Sequence, residues 1–238
     1  MSLRGISVVA CAGLLGAAAL SVPLLPRPAP AAQRRASSAQ PPPATPPPAT
    51  AALPPAAPSR FEQLRPLHIE NQTTREVREL KLYDASGQID EAAALQLDQL
   101  LCDARRPKQR ETARISRRTL QLLFKAAYHF TSYDVEVVSG YRKPGRRREG
   151  PHGTGSAIDF RLRGVSAAAL ASYLREIPRT GVGVYTHPKT QYVHLDSREH
   201  SFHWIDASPP RRHWRERSIG GADLEKRDAL YSSVLDWP

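Results

Sequence analysis

Cysteine is nearly missing: Cys11 and Cys102 are the only two in 238 residues. Once the N-terminal segment is removed, Cys102 stands alone and no intrachain disulfide forms, which excludes a disulfide-stapled scaffold. Its neighbours Leu97, Leu100 and Leu101 recur at helical spacing, so Cys102 reads as a small buried hydrophobe. Acidic residues are wholly missing from the first 60 positions, which hold 13 of the 22 prolines. Such a stretch cannot build a core. About 175 residues remain, enough for one domain.

The first 60 residues divide in two. Residues 1–25 carry one charge, Arg4, ahead of an apolar run. That layout is a secretory signal or N-terminal anchor. Pro23 interrupts the run, which is short for a stable span. Residues 26–60 are a Pro/Ala-rich linker whose Pro41–Pro48 stretch favours extended polyproline. The expected boundaries are a domain over 61–207 and a basic tail over 208–238. The expected location is the periplasm or another exported compartment of a bacterial envelope. Membrane contact is expected only through an uncleaved N-terminus.

Five of the 34 basic residues fall in the first 60, so beyond it 29 face 23 acidic ones, a net charge of +6. A basic surface suits an anionic polymer. No nucleic-acid motif is visible, and an export signal argues against that partner.

Within the folded part, Leu80–Tyr83 alternates and ends at Asp84-Ala85-Ser86-Gly87, predicting a strand and a turn. Asp90–Arg106 reads as a helix. Ser116 opens a second helix with Leu120, Leu123, Phe124 and Ala127 on one face. Strands follow at 135–138, 157–162, 181–185 and 192–195, with a helix capped by Ser166 between the second and third. Lys143–Gly155, basic and glycine-rich, reads as a loop. The order predicts an α+β fold, a small antiparallel sheet with flanking helices.

Polar residues concentrate at the ends of these strands: Arg142, His152, Asp159, His194 and Asp196. Each alone says little. Together they include two imidazoles and a carboxylate, a donor set zinc favours when three protein ligands leave a fourth position for water. The loop bearing His152 can fold back beside Asp159, and His194 can arrive from a later strand.

Four blocks carry a resemblance. Gly150-Pro151-His152-Gly153-Thr154-Gly155-Ser156-Ala157-Ile158-Asp159 resembles the Ser-x-His-x-x-Gly-x-Ala-x-Asp signature of D-alanyl-D-alanine-type zinc metallopeptidases. Ser139-Gly140-Tyr141-Arg142 resembles their upstream Ser-Gly-Tyr-Arg. Gly181–Tyr185 and Tyr192–Asp196 resemble the Gly-Val-Gly-x-Tyr and Phe-Val-His-Val/Leu-Asp blocks of the periplasmic murein endopeptidase branch. Their order and spacing agree across about residues 64–205. The resemblance implies a hedgehog/D-Ala-D-Ala-peptidase-like fold, zinc on His152, Asp159 and His194, and action on peptidoglycan stem peptides and cross-links.

Two departures from that pattern matter. Gly150 replaces the family's serine and loses a hydroxyl but no ligand. Gln191 stands where related carboxypeptidases carry Glu or Asp, and Gln cannot act as a general base. Asp196, two residues from His194 and so on the same strand face, is the candidate base, or a group that orients a ligand. Arg142 is the candidate for steadying a developing oxyanion or anchoring a substrate carboxylate. Arg146, Arg147 and Arg148 form a basic run suited to the same carboxylates. The alternatives are a D,D-carboxypeptidase and a catalytically silent wall-binding domain.

Overall fold

Strict alternation in the strands dictates which way each side chain faces. In the computed structural model, residues 59–102, 113–142, 150–210, 212, 216–220 and 223–238 are described. They contain eight strands: β1 (Leu67–Asn71), β2 (Val77–Leu80), β3 (Asp134–Ser139), β4 (Ala157–Leu162), β5 (Thr180–Tyr185), β6 (Val193–Ser197), β7 (Phe202–Asp206) and β8 (Glu216–Ile219). Five helices accompany them: α1 (Glu91–Leu100), α2 (Arg117–His129), α3 (Pro151–Thr154), α4 (Ala167–Leu174) and α5 (Asp223–Ala229). A 3-10 turn spans Ser233–Asp236.

The α+β class is as expected, but the sheet is larger and not wholly antiparallel. All eight strands form one sheet in the order β2-β1-β3-β4-β6-β5-β7-β8. Two pairs, β1–β3 and β5–β7, run parallel. Parallel neighbours need a crossover. Helices α1 and α2 supply the first. The second is short: Arg198–Ser201 leads from β6 past the start of β5, where the Arg198 amide donates to the Arg179 carbonyl at 3.1 Å.

One sheet face is apolar and buried. Leu67 and Ile69, Val135 and Val137, Ile158, Phe160 and Leu162, Val182 and Val184, and Val193 and Leu195 all join one core. Leu120, Leu123, Phe124 and Ala127 of α2 and Leu170, Ala171 and Leu174 of α4 complete it. Burying a side chain of this size stabilises by about 1.5–3 kcal/mol, so this face holds the helices to the sheet. The opposite face carries the alternate residues, among them Asp159, His194 and Asp196.

Local chemistry sets the element ends. The Asp90 carboxylate accepts the Ala92 and Ala93 amides at 2.9 and 3.1 Å and caps α1. Ser166 caps α4 through the Ala169 amide at 3.2 Å. Ser116 sits at the start of α2, but its hydroxyl makes no capping bond and instead accepts from Ser197. The strand expected at Leu80–Tyr83 lies earlier, at Val77–Leu80. Leu82 and Tyr83 sink into the core, and Asp84 folds the chain by accepting the Ser86 and Gln88 amides at 2.8 and 3.0 Å.

Residues 208–238, read from sequence as a basic tail, contribute β8, α5 and the 3-10 turn. Strand β8 pairs with β7. Asp228 accepts the Arg179 and Ser201 amides, each at 2.6 Å, and Asp236 accepts from Arg118 at 3.0 Å. The signal segment 1–25, all but the last two linker residues, the stretch 103–106 of the expected first helix, and the Arg146–Arg148 run lie outside the described residues. Among the described residues no helix is long and apolar enough to cross a membrane.

Candidate metal centre

The register of the central strands assembles the site. Strand β4 pairs Asp159 with His194 of β6, and β5 pairs Gly183 with the same His194. His152 arrives from outside the sheet, on the single turn α3 rather than on an open loop. Pro151 starts that turn. Gly155 ends it at φ +77°, and a Cβ there would strike the Arg114 carbonyl. The Arg142 amide donates to the His152 carbonyl at 3.0 Å, tying α3 to the end of β3.

Three side-chain atoms converge. His152 Nε2 lies 3.2 Å from His194 Nδ1 and 3.2 Å from Asp159 Oδ1, and His194 Nδ1 lies 2.9 Å from Asp159 Oδ1. All three residues are buried. Two ligands each about 2.05 Å from a tetrahedral ion stand about 3.3 Å apart. The observed triangle matches that spacing to within a few tenths of an ångström, so the trio fits one small divalent ion.

The remaining ring nitrogens are already committed. His152 Nδ1 meets the Gly140 carbonyl at 2.8 Å. A carbonyl only accepts, so Nδ1 carries the proton and Nε2 offers its lone pair to the centre. His194 Nε2 meets Asp196 Oδ2 at 3.0 Å, which turns Nδ1 inward. Asp196 is 1 % exposed. Its Oδ1 accepts from Arg198 Nε at 2.6 Å, and its Oδ2 accepts from the same guanidinium. This is a histidine–carboxylate–arginine relay behind one imidazole of the trio, an arrangement that fixes ring orientation.

Charge is concentrated here. Burial pushes the Asp159 carboxyl up, but the His152 and His194 imidazoles outweigh it and hold the group well below the usual carboxylate range. Burial lowers the His194 imidazole, and its bonds to Asp159 and Asp196 overcome that to raise it to about 9. Burial raises Asp196, and His194 and Arg198 bring it below its ordinary value. Imidazoles that bind a metal do so through a deprotonated nitrogen, so metal binding at such a trio is coupled to pH.

Arg142 comes within reach: its guanidinium lies 3.9 Å from Asp159 Oδ2 and is half exposed. Gln191 occupies a tight turn at φ +40°, with its backbone carbonyl accepting from Arg161 at 3.1 Å. A cavity of about 440 Å³ between Glu136, Arg161, Val165 and Tyr185 contains none of the trio.

Trp204 and Arg198 escape the sequence reading. The Trp204 indole lies across Gly183, where any Cβ would collide with it, and its centroid is 5.0 Å from that of His194. The alternation Phe202-His203-Trp204-Ile205 is a strand signal that could have placed Trp204 on the site face. Arg198 has no such signal, because it lies just past the end of β6.

A buried His–Asp–His trio on a mixed, mostly antiparallel sheet, with each imidazole anchored from behind, is a donor set that could hold a single metal ion. The chain belongs to the family described as peptidoglycan L,D-endopeptidase MepK, a zinc D-Ala-D-Ala-peptidase-like family whose profile matches residues 59–204. No curated protein and no solved structure gives a significant match. The family is one of cell-wall peptidases, so the chemistry to be supported is amide hydrolysis.

Proposed function

We propose that this protein is an exported, zinc-dependent endopeptidase that hydrolyses peptide cross-links of peptidoglycan, at the L,D bond that the family description names. The fold would then be of the hedgehog/D-Ala-D-Ala-peptidase type. The observation that carries the reading is the 2.9–3.2 Å triangle of His152 Nε2, Asp159 Oδ1 and His194 Nδ1. Export rests on the residue 1–25 pattern alone.

His152, Asp159 and His194 would hold the ion. When bound, zinc lowers the pKa of a water to about 7 and polarises an amide carbonyl. The chain's own groups orient the ligands and the substrate. Hydrolysis forms a carbon–oxygen bond from water, breaks the carbon–nitrogen bond, and moves a proton to the leaving amine. The Arg142 guanidinium, half exposed beside Asp159, is placed to meet a substrate carbonyl or carboxylate. We read Asp196 as a positioning residue for His194, not as the proton acceptor. Both its oxygens are already engaged and almost none of its surface is accessible.

The carboxypeptidase alternative is disfavoured by Gln191. No acidic side chain occupies that position, and the turn that holds it aims its backbone at Arg161. The purified full chain should cleave a cross-linked muropeptide dimer, lose that activity with a chelator, and regain it with Zn²⁺. A monomeric pentapeptide losing its terminal D-Ala while the dimer stays intact would overturn the reading.

A further inference from the structure

Tyr192 stands two residues before His194, and residues two apart on an extended chain share a face about 7 Å apart. It thus flanks the metal centre on the side away from Asp196. Its ring is held from two directions. Tyr185 stacks on it at 4.3 Å and 23°, and the Arg161 guanidinium lies 5.9 Å from its centroid. Arg161 is itself fixed, donating to the Gln191 carbonyl at 3.1 Å and the Thr190 carbonyl at 2.5 Å. The turn that delivers Tyr192 is closed by the Thr190 amide on the His187 carbonyl at 2.8 Å.

Everything about the ring is therefore fixed, while its hydroxyl makes no hydrogen bond to any described residue. The ring is half-buried, yet the oxygen is not among the fully enclosed polar atoms. The charges of Asp159 and Arg142 both reach it. A rigid phenol whose donor meets no described residue, beside a hydrolytic centre, is poised to act on whatever occupies that centre.

We propose that Tyr192 is a catalytic residue whose hydroxyl donates a hydrogen bond to the carbonyl oxygen of the scissile amide, tightening as that oxygen gains negative charge. The inference rests on the peptidase reading above. No bond to Tyr192 forms or breaks, and its proton stays on the phenol. Arg142 and Tyr192 would then meet the substrate from different strands, one from the end of β3 and one from the start of β6.

The test is Tyr192→Phe in the full-length, zinc-loaded protein, assayed on the cross-linked muropeptide dimer. Phenylalanine keeps the stack on Tyr185 and removes only the donor. The expected result is a kcat lower by about 10- to 100-fold, a KM within about twofold, and unchanged zinc by elemental analysis. A phosphinate analogue of the tetrahedral species should bind the variant at least about tenfold more weakly by calorimetry. Wild-type kcat in the variant, or a raised KM with kcat intact, would overturn the proposal while leaving the peptidase reading in place. A wild-type protein that leaves the dimer uncut would overturn both.

Discussion

The two faces of strands β4, β5 and β6 differ in every respect except their backbone. One face offers Ile158, Phe160, Leu162, Val182, Val184, Val193 and Leu195 to the helices. The other offers Asp159, Arg161, Gly181, Gly183, His194 and Asp196. Because the side-chain period is two, a register slip of one residue would exchange the sets and destroy both core and site. The apolar face thus specifies where the polar face must be. That division predicts separable consequences. Phe160→Ala should cost about 3–5 kcal/mol of stability in chelator, since a fully buried aromatic leaves a cavity. His152→Ala, on the other side, should lose bound zinc and all measurable turnover while its melting temperature in chelator falls by less than that of Phe160→Ala. Denaturant unfolding and elemental analysis on both variants check this. Full zinc in His152→Ala would break the comparison.

A second contrast lies within β7, where neighbours face opposite ways. Trp204 leans on His194, whereas His203 is buried on the other side with its Nε2 unpartnered among the described residues. Burial, reinforced by Arg175 and Arg227, pulls the His203 imidazole down to about 4. Folded, the ring is neutral. Unfolded, it takes a proton near 6.5. Between those values the unfolded state binds more protons, so stability is full above about pH 6.5 and declines as pH falls towards 4. The shift caps the effect at roughly 3 kcal/mol. Urea unfolding at pH 7, 6 and 5 should show a decline in the wild type that is shallower in His203→Phe. Parallel profiles would sink this assignment.

How much of this was legible beforehand varies by residue. Strand β4 was read at its observed limits, because Ala157–Leu162 alternates cleanly between a glycine-rich stretch and a turn. The trio followed from donor chemistry and from the resemblance, and the structure brings those three residues together. What stayed hidden was non-local. The parallel β1–β3 pairing depends on where two helices pack, and no window of sequence records that. Strand β8 is four residues long and polar, so its pairing with β7 leaves no periodic signal. The α3 turn was read as loop because four residues flanked by glycines carry no helical period. Arg198 was missed because its role exists only once Asp196 is folded beneath it.

The smallest expected effect separates two roles for Asp196. A general base and a positioning carboxylate both lose turnover when changed to asparagine, so activity alone cannot choose. Metal affinity can. Asp196 accepts from His194 Nε2 and holds that imidazole with Nδ1 inward, and Arg198 holds Asp196 in turn. Asn keeps the size and one acceptor oxygen, but it loses the charge that favours the donor form of Nε2–H. A carboxylate behind a ligating histidine typically contributes about 10- to 100-fold to metal affinity. Asp196→Asn should therefore bind zinc weaker by about that factor, and saturating zinc should restore much of its turnover. Arg198→Gln should show the same pattern, more weakly, since it loosens the carboxylate without removing it. Competition against a chromophoric chelator measures both. Unchanged zinc affinity in Asp196→Asn, with turnover lost even at saturating metal, would return the residue to the role of proton acceptor. It would also mean that the buried relay behind His194 adds nothing to metal binding.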